Sequence, residues 1–220
     1  MDAIKTFPKF TIFYLIVMIV ELLALTVIPE YHLVSKPFIM ASLLGFYIVS
    51  VNPQDNLFLL ALIFALLGDV FLLFKHDDFF IIGLVCFLIM QIGYFITFKK
   101  KKRIPKPSAY MLPALLAFTA IFIINSLWSQ LSNMRLPVTV YAGSIVLMAA
   151  YAYLRHPRLR GYQTVVFGVV LFIISDGMLA FDKFGTGFPN ARIFVMITYM
   201  IAQYCIVTGQ VLSDTKRKIT

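Results

Sequence analysis

Apolar residues run along this chain in eight long blocks separated by short polar breaks. The blocks cover approximately Phe10–Ile28, Val34–Val51, Leu57–Phe74, Phe79–Phe98, Tyr110–Leu127, Leu136–Leu154, Tyr162–Phe181 and Arg192–Leu212. Crossing the hydrocarbon core of a bilayer takes about 20 apolar residues in a helix, so each block reads as a transmembrane span. The breaks carry turn chemistry: Asn52-Pro53-Gln54-Asp55, Lys75-His76-Asp77-Asp78, Gly185-Thr186-Gly187, and a basic stretch from Lys99 to Lys106 that contains Pro105. The expected architecture is all-α, a polytopic membrane protein built as a bundle of eight transmembrane helices in a single membrane domain over residues 1–220. Such a chain has no room for a soluble domain, so function is expected inside the bundle or at its rims. The first block is too long for a signal-peptide core, lacks a small-residue cleavage site and contains Glu21, so it is expected to be a retained span.

Composition sharpens this picture. The 220 residues are 61% hydrophobic and 13% charged, whereas soluble domains are about 45–50% apolar and about 25% charged. That excludes a soluble globular protein, a disordered chain and a disulfide scaffold. Cys86 and Cys205 both lie in apolar runs and read as buried free thiols. A net charge of +9 suggests nucleic acid at first, but six of the nineteen basic residues sit between Lys99 and Lys106. Short basic loops of membrane proteins face the cytoplasm and anionic lipid, so no nucleic-acid partner is expected. With the N-terminus inside, fourteen of the nineteen Lys and Arg fall on the inner side, which places both termini in the cytoplasm. Compact loops favour a bacterial inner membrane. The endoplasmic reticulum stays open, because Lys216-Arg217-Lys218-Ile219-Thr220 loosely resembles a dilysine retrieval signal.

An internal echo links the third and seventh blocks. Gly68-Asp69-Val70-Phe71-Leu72-Leu73-Phe74 and Ser175-Asp176-Gly177-Met178-Leu179-Ala180-Phe181 both read small-Asp-x-x-Leu-small/apolar-Phe, and each is followed by a span with one glutamine, Gln91 or Gln203. Spans 3 and 7 run in the same direction, the pattern of a parallel duplication of a four-helix half. Only three of the ten acidic residues fall within spans: Glu21, Asp69 and Asp176. An acid at membrane depth costs at least about 2.5 kcal/mol and marks a functional site by default. At 1.5 Å per residue the three lie within about 5 Å of one depth, in the outer half. Two carboxyls meeting in a low dielectric are expected to share one proton, which suits paired acid and base work. The nearest cation is Lys36, at the outer end of span 2, with a stem that reaches inward.

Other polar residues in the spans are Gln91, Tyr94, Asn125, Tyr141, Tyr151, Tyr199 and Gln203, with Tyr199 and Gln203 four apart on one helix face. His32, His76 and His156 all fall in loops, so no zinc site is expected in the bundle. There is no G-x-S-x-G elbow and no Walker or dinucleotide pattern. Catalysis is expected to be carboxylate chemistry without a cofactor.

Several of these runs carry a resemblance. Ala65-Leu66-Leu67-Gly68-Asp69, Phe172-Ile173-Ile174-Ser175-Asp176, Thr198-Tyr199-Met200-Ile201-Ala202-Gln203, Ser35-Lys36-Pro37 and the stretch from Gly83 to Phe95 resemble those of the YhhN family, the lysoplasmalogenases, in order and spacing over essentially the whole chain. One departure is that Gln91 stands where relatives often carry His, three residues before Tyr94. The resemblance implies an integral-membrane hydrolase that cleaves the vinyl ether of lysoplasmalogens to a fatty aldehyde and glycerophosphocholine or glycerophosphoethanolamine. It implies Asp69 and Asp176 as the catalytic pair. Lys36, Tyr94, Tyr199, Gln203, Gln91 and Glu21 are the implied substrate-binding residues. The implied partners are a lysophospholipid and membrane lipid, with oligomeric state left open. A proton-coupled transporter using the same two Asp is the alternative. An intramembrane aspartyl protease is disfavoured because Leu66 breaks the Gly-x-Gly-Asp pattern.

Overall fold

A computed structural model describes residues 3–74, 76–102 and 107–215. Among these the chain forms eight α-helices: α1 (Ala3–Thr26), α2 (His32–Ser50), α3 (Asn56–Phe71), α4 (Asp77–Lys99), α5 (Met111–Leu127), α6 (Arg135–Tyr153), α7 (Tyr162–Phe184) and α8 (Ala191–Thr215). Each takes up one of the eight apolar blocks. Six are long and apolar enough to cross a bilayer, whereas α3 and α5 have 16 and 17 residues. The apolar pattern carries the third span to Phe74, but the helix ends at Phe71. There Leu73 N–H turns to Val70 O and Phe74 N–H to Phe71 O, the tight bonds of a helix end. The chain is a multi-pass membrane protein. The basic residues Lys75, Arg103, Lys106 and the C-terminal Lys216-Arg217-Lys218 lie outside the described residues.

The packing repeats with a shift of four helices. Within each half, neighbours in sequence pack on each other, and α3·α4 and α7·α8 make the largest interfaces. The pairs that join the halves repeat too: α4 packs on α6, and α8 packs on α2. Small residues allow the close approach, as expected where helices associate without a hydrophobic driving force. A Cβ on Gly93 of α4 would meet Ala61 Cβ of α3 at 2.8 Å, and one on Gly168 of α7 would meet Ala202 O of α8 at 2.7 Å. The repeat breaks at α1 and α5. α1 closes against α8, but its counterpart α5 makes at most marginal contact with α4. A space is left there, among α4, α5 and α7.

At the end of the bundle where α6 and α8 finish, polar groups are tied together. Arg155 is fully buried, donates from Nη2 to Ser213 Oγ at 2.6 Å and lies over the Phe98 ring. Burial pushes its guanidinium down to about 10, with Asp214 opposing the shift. Burial likewise holds the Lys101 ammonium below its ordinary value, although it pairs with Asp214. Tyr47 donates to the same carboxylate at 3.3 Å and accepts from Asp55 N–H at 3.1 Å.

Candidate functional site

The space among α4, α5 and α7 is a cavity of about 180 Å³ at the opposite end of the bundle, where α3, α5 and α7 finish and α2, α4, α6 and α8 begin. Its wall is mostly aliphatic and aromatic. α5 supplies Leu116, Ala120, Ile123 and Leu127, and α4 supplies Leu84 and Phe87. The polar lining is Lys36, Asp69, Thr119, Tyr141, Ser175, Asp176 and Tyr199. At the rim α4 and α7 are joined by Lys183 Nζ to Asp77 Oδ1 at 3.2 Å and by an edge-on contact of Phe80 with Phe184. The ion pair is exposed, so it contributes little to stability.

Both candidate catalytic residues reach this cavity, each held by its own tyrosine. Asp69 is 1% exposed and accepts from the Tyr199 hydroxyl at 2.9 Å on Oδ2. Asp176 accepts from the Tyr141 hydroxyl at 2.6 Å, also on Oδ2. Each tyrosine takes up one carboxylate oxygen, Oδ2, of its aspartate. The expectation that the two carboxyls share a proton is not met by this geometry. Among the described residues no hydrogen bond joins them; α3 and α7 make at most marginal contact, and the cavity lies between. Ser175 fixes α7 to α8 by donating to Val195 O at 2.9 Å.

The implied binding residues separate into three groups. Lys36 and Tyr199 line the cavity together with Asp69. Tyr94, Gln203 and Gln91 lie behind it, fully buried. Tyr94 donates to Gln203 Oε1 at 2.9 Å, Gln203 Nε2 donates to Met90 Sδ at 3.3 Å, and Ser144 donates to Gln91 Oε1. These are bonds between helices, the role amides and hydroxyls commonly take in membranes. Glu21 is fully buried, accepts from Ser35 at 2.6 Å and lies 3.0 Å from His32 Nδ1. The sequence pattern puts His32 in a loop; it instead opens α2. Tyr141 stands out in the sequence only as one polar residue of span 6. A depth count carries its signal: it is sixth from the end of its span that lies at the cavity end of the bundle, as Asp176 is of span 7. Among the described residues no three of His, Cys, Asp and Glu converge as metal ligands.

A bundle of membrane-crossing helices with two carboxyls opening into an apolar cavity defines an integral-membrane protein with a site suited to a lipid. Residues 31–210 match the YhhN family, and the chain belongs to that family. It is 27% identical over 187 residues to lysoplasmalogenase TMEM86A of Bos taurus and 29% identical over 183 residues to that of Homo sapiens; each match covers 80% of this chain and 73% of the relative. Over a shorter stretch, 37% of this chain and 32% of the relative, it is 40% identical to lysoplasmalogenase TMEM86B of Rattus norvegicus. No solved structure matches.

Proposed function

We propose that this chain is a lysoplasmalogenase-like hydrolase that cleaves the vinyl ether of an alkenyl lysophospholipid, with Asp69 and Asp176 as its acid and base. The observation that carries the reading is that both carboxyls, from different halves of the bundle, open into one apolar cavity. Vinyl ether hydrolysis begins with protonation of the alkene carbon distant from oxygen and passes through an oxocarbenium ion that water then attacks. One carboxyl to give a proton and one to support the cation and activate water is the logic of paired carboxyls in glycoside hydrolysis. An acid and a base set apart by the cavity leave room between them for the ether and a water.

The apolar wall of α5 takes the alkenyl chain, and Lys36 at the rim holds the phosphate as a point charge. The bias of Lys and Arg supports a topology with both termini in the cytoplasm and the cavity in the outer half of the membrane. Aldehyde release from an alkenyl lysophospholipid by the purified protein in detergent tests the reading. A transporter needs a sealed membrane and shows no such release. Lys36→Ala is expected to raise KM about 10-fold or more with a smaller effect on kcat, the pattern of lost binding outside the chemical step. Ala120→Trp is expected to fill the cavity, so a series of chain lengths should show long-chain substrates losing about 10-fold more kcat/KM than short ones.

A further inference from the structure

We propose that the rim of the cavity is a subsite for the ammonium of the substrate's head group: the Asp77 carboxylate and the Phe80 ring, which hold the Lys183 ammonium in this structure, take an ethanolamine ammonium in its place. The proposal rests on the hydrolase reading and adds the class of head group. It comes from the geometry of the rim. Asp77 and Phe80 stand three residues apart at the start of α4, so they share one face of the helix. Lys183 comes from the last turn of α7. Its Nζ donates to Asp77 Oδ1 at 3.2 Å and lies 4.8 Å from the centre of the Phe80 ring. A carboxylate beside an aromatic face is the chemistry that recognises an ammonium group, through a charge-assisted bond and the ring quadrupole. The same ring lines the cavity and meets Phe184, another lining residue, edge-on at 5.9 Å. The ammonium cradle is therefore continuous with the apolar wall.

A lysolipid seated in the cavity presents its head group at this rim. Its chain matches the aliphatic wall of α5, and its polar end belongs at the end of the bundle where α7 finishes and α4 begins. Lys36 enters from the first turns of α2 at the same end, so a phosphate on its ammonium leaves the head-group amine to reach the rim across a short linker. Lys183 carries a primary ammonium on a flexible stem, and ethanolamine ends in the same group. The exchange costs little, because the Lys183 and Asp77 side chains are 38% and 86% exposed and an ion pair in contact with water contributes little to stability. A head group with hydroxyls in place of the ammonium, such as glycerol, has no charge with which to displace Lys183.

The test compares two alkenyl lysophospholipids of one chain length, with ethanolamine or glycerol as head group, hydrolysed by the purified protein in nonionic detergent. The readout is the ratio of their kcat/KM values, ethanolamine over glycerol. Wild type is expected to favour ethanolamine about 5-fold. Asp77→Asn should lower the ratio about 5-fold, and Phe80→Leu about 3-fold. Lys183→Ala removes the competing ammonium and should raise the ratio about 3-fold. The two variants that break the same ion pair thus shift the ratio in opposite directions, which loss of a clamp between α4 and α7 does not do. Thermal melts in the same detergent show that each variant is folded. A ratio that falls or holds in Lys183→Ala, or holds in Asp77→Asn, makes the pair a clamp and overturns the proposal. Opposite shifts with no fall in Phe80→Leu assign them to the charge of the rim alone and also overturn it. So does a wild type that releases aldehyde from both substrates without preference, a result that leaves the hydrolase reading standing. A wild type that releases aldehyde from neither ends both.

Discussion

Asp69→Asn and Asp176→Asn are each expected to lower kcat for aldehyde release about 1,000-fold or more, the upper part of the range for positioned acid–base groups. Asparagine keeps the size of the side chain and an oxygen that can accept the tyrosine hydroxyl, so the bonds from Tyr199 and Tyr141 can survive in the variants. What is lost is the ability to hold or release a proton. Both variants should therefore fold, which a thermal melt in detergent checks, and fail in turnover. The double variant should be little worse than the poorer single one, because groups that act as a unit are strongly non-additive. Near-normal aldehyde release by either folded variant would end the two-carboxyl reading.

Gly161→Ala is expected to be the most damaging small change away from the site. Gly161 precedes α7 with φ +74°, a left-handed conformation that favours glycine. A methyl group there would run into the Gly209 backbone of α8. Gly209 leaves little room from the other side: a Cβ on it would meet Val165 Cγ2 at 2.6 Å and Gly161 O at 2.8 Å. The contact lies in one of the two largest helix interfaces and involves backbone, which cannot swing aside as a side chain can. Strain and overpacking together are expected to cost about 3 kcal/mol or more. The measurement is the thermal midpoint and folded yield in detergent; a melt matching wild type would show that α7 and α8 separate easily at this end.

The site could be read partly from depth. Hydropathy determines how far along its span a residue sits, so Asp69 and Asp176 fall in one layer before any packing is known, and the same count adds Tyr141. It does not determine which way a residue faces. A helix that is apolar on nearly every side presents no single buried stripe, so nothing in the sequence alone separates Tyr199, which lines the cavity, from Gln203, which bonds Tyr94 behind it. Glu21 illustrates the same limit: its depth suggests the site, while its partners Ser35 and His32 hold it to α2.

The number of apolar blocks, the positions of the turns and the echo around the two aspartates follow from the order of residues, because length and polarity suffice to define helices in a bilayer. Packing alone decided that α5 stands off from α4, that a cavity fills the gap, and that the carboxyls are set apart with a separate tyrosine for each. Those features depend on which faces of the helices meet, and that is settled by contacts between residues far apart in the chain.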